Sequence, residues 1–157
     1  MKGNQKLIEV LNQLLADELT AINQYMVHSE LCANWGYERL HKVIEKRAFG
    51  EMKHAEKLIA RIVFLEGLPV VSKLNPLHIG TDVPKIIEND IAAEMTALRG
   101  YNAAIPLAME VQDAPTRELL ESIIKDEDGH LDMLEAQRDQ MNQMSVGIFL
   151  GQQIEKD

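Results

Sequence analysis

The 157-residue chain has a single cysteine, Cys32. No internal disulfide can form, so a reducing, cytoplasmic location is expected. Basic residues are in the minority: 16 Lys and Arg against 25 Asp and Glu leave a net charge of −9. That balance argues against nucleic acid as the main partner and suits the attraction of cations. No apolar run reaches membrane-spanning length, so no membrane partner is expected either. The opening Met1-Lys2-Gly3-Asn4 leads into an amphipathic pattern with charges at Glu9 and Asp17, unlike a signal peptide. Low-complexity tracts and short solenoid repeats are absent. What is present is 46% hydrophobic residues, enough for one domain, 1–157, with a sizeable core.

Apolar residues recur at three- and four-residue spacing along most of the chain, which predicts an all-α fold. The first helix is expected from about Gln5 to Asn34, stopped near Trp35-Gly36 by a C-terminal glycine. The second is expected from Glu38 to Glu66, stopped at Gly67-Leu68-Pro69. Residues 67–82 carry Gly67, Pro69, Asn75, Pro76 and Gly80 and read as loop. Asp82-Val83-Pro84 opens a third helix to about Val111, weakened at Gly100 and kinked near Pro106. Asp113 to Thr116 restarts the chain into a fourth helix ending near Gln143, and a short apolar tail follows from Val146 to Ile154.

The connections suggest the topology. The first and third breaks are a few residues long and join antiparallel neighbours. The middle one is longer: about sixteen extended residues reach ~53 Å, against ~42 Å for a helix of about 28 residues. It can therefore cross the length of the bundle and start helix three parallel to helix two. One long crossover is the ferritin-like four-helix arrangement. The alternative is an up-down bundle with a loose middle loop.

Two segments share one signature, Glu51-x-x-His54 and Glu127-x-x-His130. Residues three apart lie on one helix face, so each pair can grip one metal ion. Two such helices plus an inward Glu from each of two others make a di-iron carboxylate site. The other helices supply them. Glu18 falls within the stripe of Leu11, Leu14, Leu15, Ile22 and Tyr25, with Asp17 pointing elsewhere. Glu94 falls within Ile87, Ile91, Leu98, Tyr101 and Ile105. Glu51 and His54 lie among Val43, Ile44, Ala55, Leu58 and Ile62, and Glu127 and His130 among Leu120, Ile123, Ile124, Leu131 and Leu134. Four buried carboxylates need compensating positive charge. Two divalent cations would supply it, and oxygen and imidazole donors without thiolate suit iron or manganese, with zinc also compatible. Tyr25 and Tyr101, two turns beyond candidate ligands, are expected as buried structural tyrosines, with hydrogen bonding to the ligands or electron donation as further roles.

Several stretches together resemble the bacterioferritins over nearly the whole chain. They are Met1-Lys2-Gly3, Glu18-x-x-Ala21-Ile22-Asn23-Gln24-Tyr25, Glu51-Met52-Lys53-His54-Ala55, Phe64-Leu65-Glu66-Gly67-Leu68-Pro69, Ile79-Gly80 and Asp126-Glu127-Asp128-Gly129-His130. The resemblance implies a ferritin-like bundle with a short fifth helix, assembled as a hollow shell of twenty-four subunits. It implies a ferroxidase: a di-iron centre held by Glu18, Glu51, His54, Glu94, Glu127 and His130 oxidises Fe(II) with dioxygen or peroxide, and ferric mineral is stored inside. Glu51 and Glu127 would be the bridging carboxylates. It also implies a b-type haem at a two-fold interface, its iron held by Met52 of each of two subunits. No Cys-x-x-Cys-His occurs, so the haem would be non-covalent. Release of stored ferric iron calls for an electron-donor protein as a further partner.

Departures from better-known relatives also stand out. Lys46 and Gly50 occupy positions where many of them carry a His and an Asp on the cavity side of helix two, and Arg47 replaces an acidic residue. An inner-surface iron site is therefore expected to be absent. Met133 and Leu58 replace aromatic residues, while Trp35 is retained. Asn34, Glu66, Asp132 and Asp139 match a pore through which iron passes in some members, with solvated surface as the plainer reading. Two other functions stay open at this point. One is a different di-iron enzyme, such as a rubrerythrin-like peroxidase or an oxidase; the other is a non-catalytic shell protein.

Overall fold

The computed structural model describes residues 1–154, so the last three residues of the expected domain lie outside the described part. Four long helices, α1 (Gln5–Asn34), α2 (Glu38–Phe64), α3 (Val83–Glu110) and α4 (Ala114–Met144), precede a short α5 (Val146–Gly151). Among the described residues no helix is long and apolar enough to cross a membrane.

The ends follow local chemistry. Asn4 caps α1 by accepting from the Leu7 N–H, and Asp82 caps α3 by accepting from the Lys85 N–H. Gly36, at φ 85°, ends α1, with the Tyr37 N–H donating to the Cys32 carbonyl. The stop of α2 differs from expectation. The left-handed residue is Glu66, at φ 61°, and Gly67 follows it with its N–H on the Ile62 carbonyl. Gly67 is needed for proximity: a Cβ there would lie 2.7 Å from Ile8 Cγ2. α3 runs on through Pro106 to Glu110.

Cross-helix contacts establish the topology. The Gly3 N–H donates to the Leu65 carbonyl, so α1 and α2 are antiparallel. His28 meets Asp90, Tyr25 meets Glu94 and Glu18 meets Tyr101, so α3 also runs against α1 and is parallel to α2. Residues 65–82 therefore cross the length of the bundle, as the loop length suggested.

The crossover is laced to α1 along its path. Asn12 bonds Leu68 and Val70, Thr20 accepts from the Asn75 N–H, Gln24 accepts from the His78 N–H, and His28 accepts from the Gly80 N–H. Asp17 Oδ1 accepts from Asn75 Nδ2 at 2.6 Å. Burial pushes the Asp17 carboxyl above its usual value, opposed by that hydrogen bond and by Lys73. Gly80 has no substitute here, because a Cβ would lie 2.4 Å from the Ile86 nitrogen.

The apolar core falls into two clusters. One includes Leu11, Leu15, Leu58, Ile62, Leu120 and Ile123. The other includes Cys32, Leu40, Ile44, Ile87, Leu134 and Phe149, with Trp35 against it. Between them lies the polar layer described below. α5 closes the second end: Phe149 is buried, and the Arg39 N–H donates to the Gln153 carbonyl.

Asp113 secures the opposite corner. Its carboxylate caps α4 through the Thr116 N–H and hydroxyl and takes an ion pair from Arg61 at 2.7 Å. Burial alone would raise its pKa, but the Thr116 hydrogen bonds and Arg61 hold it below 3.8. Asp113→Ala is expected to cost about 1 kcal/mol or more from the cap alone, read as a lower melting temperature at pH 7. A depressed folded-state pKa gives stability that is complete above the unfolded value and is lost as pH falls through the folded one. Wild type and variant are therefore expected to converge below pH 3.8. A gap that persisted undiminished in acid would contradict this role.

Candidate metal centre

Each long helix brings a carboxylate to the polar layer at its middle. α1 supplies Glu18, α2 supplies Glu51 and His54, α3 supplies Glu94, and α4 supplies Glu127 and His130. The four glutamates are each 2% exposed or less. All six residues expected from the sequence converge. They form two overlapping groups, Glu18, Glu51, His54 and Glu127, and Glu51, Glu94, Glu127 and His130. Within each group one ligand atom per residue lies within 4.8 Å of every other. Glu51 and Glu127 belong to both, the position of bridging carboxylates between two ions.

The contacts are close without being hydrogen bonds of good geometry. His54 Nδ1 lies 2.7 Å from Glu127 Oε1, and His130 Nδ1 lies 2.8 Å from Glu51 Oε1. Yet Glu18 Oε2, Glu51 Oε1, His54 Nδ1, Glu94 Oε2, Glu127 Oε1 and His130 Nδ1 are all buried without a hydrogen-bond partner. That is one atom from each of the six residues. Buried polar atoms are normally satisfied, and lone pairs aimed at shared points suit cations. Hard oxygen donors with two imidazoles fit iron.

The far side of each ligand is held. Tyr25 Oη donates to Glu94 Oε1 at 2.7 Å, and Tyr101 Oη donates to Glu18 Oε1. Each of these terminal glutamates keeps its other oxygen facing inward. Burial, then the neighbouring glutamate charge, pushes both phenols well above 10, so they remain neutral donors. His54 Nε2 lies 2.9 Å from Asp126 Oδ2, a contact that turns Nδ1 to the centre.

Protons stand in for positive charge in the metal-free cluster. Burial would lower both histidines, but Glu127, Glu18 and Glu51 carry His54 well above its usual value. Glu51 and Glu94 raise His130 to about 9. Burial, then Glu51, pushes Glu18 up, and burial, then Glu94, pushes Glu127 up to about 12. Glu51 is shifted the other way: burial opposes this, but Glu18, His130 and His54 hold it well below 4.5.

Some expectations need correction. Arg47 does not join Lys46 on the cavity side. It is buried, donates to Asp90 Oδ2 at 2.9 Å, and stacks 4.6 Å above the Tyr25 ring. The reason is register: Arg47 lies four residues before Glu51 and shares its inward face, while Lys46 is rotated by about 100° and exposed. Gly50 borders His130, whose Cε1 and Nε2 would lie 3.7 Å from a Cβ there. Asn34 and Glu66 stand at opposite ends of the antiparallel α1–α2 pair, and Asp132 and Asp139 are exposed on α4. One chain does not bring these four together. Met133 is half exposed, Leu58 is buried, and Met52 is 40% exposed, pointing outward beside the inward Glu51.

Sequence reasoning missed Asp90. It accepts from Gln24, His28 and Arg47. Since His28 Nε2 takes the Gly80 N–H, the ring proton sits on Nδ1, facing Asp90. Ile91, Leu98 and Ile105 are only half-buried, and the deep stripe of α3 is Asp90, Glu94, Ala97, Tyr101, Ala104 and Ala108. Choosing the larger apolar residues displaced the face by one position. The available signal was Asp90 one turn before Glu94.

The ferritin-like domain family matches residues 8–144. A bacterioferritin of Rhodobacter capsulatus is 47% identical over 137 residues, covering 87% of this chain and 85% of that one. One of Brucella melitensis is 41% identical over 139 residues, covering 88% and 86%. One of Mycolicibacterium paratuberculosis is 39% identical over 152 residues, covering 97% and 96%. With a four-helix carboxylate cluster at the centre of the similar region, the chain belongs to the bacterioferritin family.

Proposed function

We propose that the protein stores iron and acts as a ferroxidase, with Fe(II) as substrate and the six-residue cluster as the site of oxidation. The observation that carries this is the set of six buried, unpartnered ligand atoms, one from each of Glu18, Glu51, His54, Glu94, Glu127 and His130. The Fe(II) pair supplies the electrons that reduce dioxygen or peroxide. Glu51 and Glu127 span the two positions, and Glu18 and Glu94 close them from outside, each braced by a tyrosine. His54 and His130 give up their protons to present Nδ1, and Glu18 and Glu127 give up theirs to become anionic. Hard carboxylate donors favour the ferric product. His130, with 22% of its side chain exposed, is the ligand able to swing aside and let iron pass inward.

The family resemblance supports further parts of the reading: a shell of twenty-four subunits, a cytoplasmic location and an electron-donor protein for iron release. It also supports haem b shared between two copies through Met52. The residues fit that group. Met52 presents a soft thioether on an outward face, Phe49 is exposed one turn away, and Met26 is exposed on α1.

Three outcomes test this. Glu127→Ala is expected to slow rapid Fe(II) oxidation more than ~100-fold, beyond the upper range for loss of an outer-shell partner, with the assembly unchanged in size. Oxidation at the wild-type rate would remove the cluster from the reaction. Titrating the metal-free protein with Zn(II) in weak buffer is expected to release roughly two protons per ion, with affinity falling as pH falls. In that metal-free state the raised His130 contributes stability below 6.5 that is lost as pH rises through about 9. Unchanged pH on binding would contradict the protonation pattern. Met52→Leu keeps the volume and removes the thioether; it is expected to lose the haem absorbance while still oxidising Fe(II). Haem retained with unchanged axial coordination would exclude Met52.

A further inference from the structure

The cluster is not sealed on its α1–α3 side. A cavity of about 310 Å³ runs beneath the crossover and is lined by Asp17 and Asn75 as well as by Glu18, Glu51 and Glu127. Asp17 and Asn75 are half-buried, whereas the three glutamates are buried, so the space leads inward from the surface. Each of these three glutamates carries a buried oxygen without a hydrogen-bond partner: Glu18 Oε2, Glu51 Oε1 and Glu127 Oε1.

Asp17 is built into this passage. Asn75 is clamped twice, its backbone N–H on Thr20 Oγ1 at 2.8 Å and its amide on Asp17 Oδ1 at 2.6 Å. The crossover thereby fixes the carboxylate over the cavity. Opposite it, Gly100 provides room, since a Cβ there would lie 3.4 Å from Asp17 Oδ2 and 3.1 Å from Leu14 Cδ2. A carboxylate has two oxygens, so one can stay with Asn75 while the other meets a cation. Asp17 and Glu18 are adjacent on α1 and turned about 100° apart. The first faces the passage under the crossover and the second faces the cluster, and one cavity joins them.

We propose that Asp17, held by Asn75, is a docking carboxylate for Fe(II) on a route from the outer α1–α3 face to the cluster. The proposal rests on the reading of that cluster as the iron site. A negative group in a narrow cleft of a chain with net charge −9 concentrates cations there. A hard oxygen donor at that point replaces part of the hydration shell before the ion reaches Glu18. This passage lies entirely within one chain.

Co(II) is the probe, because its visible absorbance reports arrival at the cluster without any oxidation. Metal-free protein is mixed rapidly with Co(II), and both filling rate and final stoichiometry are read. Asp17→Asn is expected to fill about tenfold more slowly, with a weaker dependence on ionic strength and an unchanged end point. Asp17→Glu is expected to recover most of the rate. Ala93→Leu, which narrows the same cavity, is expected to slow filling with Asp17 intact. Wild-type filling in Asp17→Asn at low ionic strength, or Asp17→Glu as slow as Asp17→Asn, would overturn the role of Asp17. Failure of the wild-type cluster to take up Co(II), or an unchanged end point in Glu127→Ala, would instead overturn the metal site on which the proposal rests.

Discussion

Glu18, Glu51, Glu94 and Glu127 face one another in the middle of a four-helix bundle, each at most 2% exposed. Four like charges cannot share a dry interior uncompensated. Every other feature of the polar layer answers that constraint. It shows in the titration of the layer, where both histidines and the carboxyls of Glu18 and Glu127 are shifted upward. On the proposed reading two divalent ions would meet it as well, each accepting lone pairs that the protein leaves unpartnered. The same constraint splits the apolar core into clusters above and below the layer.

Holding ligands at such density requires support from outside the cluster, and the support comes largely from α1 and α3. Tyr25 of α1 braces Glu94 of α3, and Tyr101 of α3 braces Glu18 of α1. This reciprocal pair ties the terminal ligand of each helix to the other. Beneath Tyr25, Arg47 and Asp90 form a buried ion pair, extended by Gln24 and by His28 to the backbone of the crossover at Gly80. The long connection is thus part of the site's frame. Its anchor, Asp90, is bonded on three sides, by Gln24, His28 and Arg47, so this buried carboxylate is well satisfied.

The two sides of the cluster differ in chemistry. At His130 the neighbour is Gly50, where a Cβ would lie 3.7 Å from the imidazole. Under the crossover the neighbours are Asp17 and amide and hydroxyl groups.

The helices, the openings of α3 at Asp82 and of α4 at Asp113, and the six residues that converge in the polar layer were legible in the sequence. Each depends on spacing along one helix or on a side chain bonding its own local backbone, and such relations need no knowledge of the neighbours. The long crossover was legible from length alone. The stop at Glu66 rather than Gly67 was not, because Gly67 is dictated by Ile8 on another helix. Nor was the buried place of Arg47: a cation on an inward face is tolerable only where Asp90 and the Tyr25 ring await it from α3 and α1. The deep face of α3 was missed too, because Asp90 is satisfied there only by Gln24, His28 and Arg47 from other helices. The sequence by itself determined which side chains could bind metal; the tertiary structure decided which of them converge and what braces them, because those depend on distances between helices that no single helix encodes.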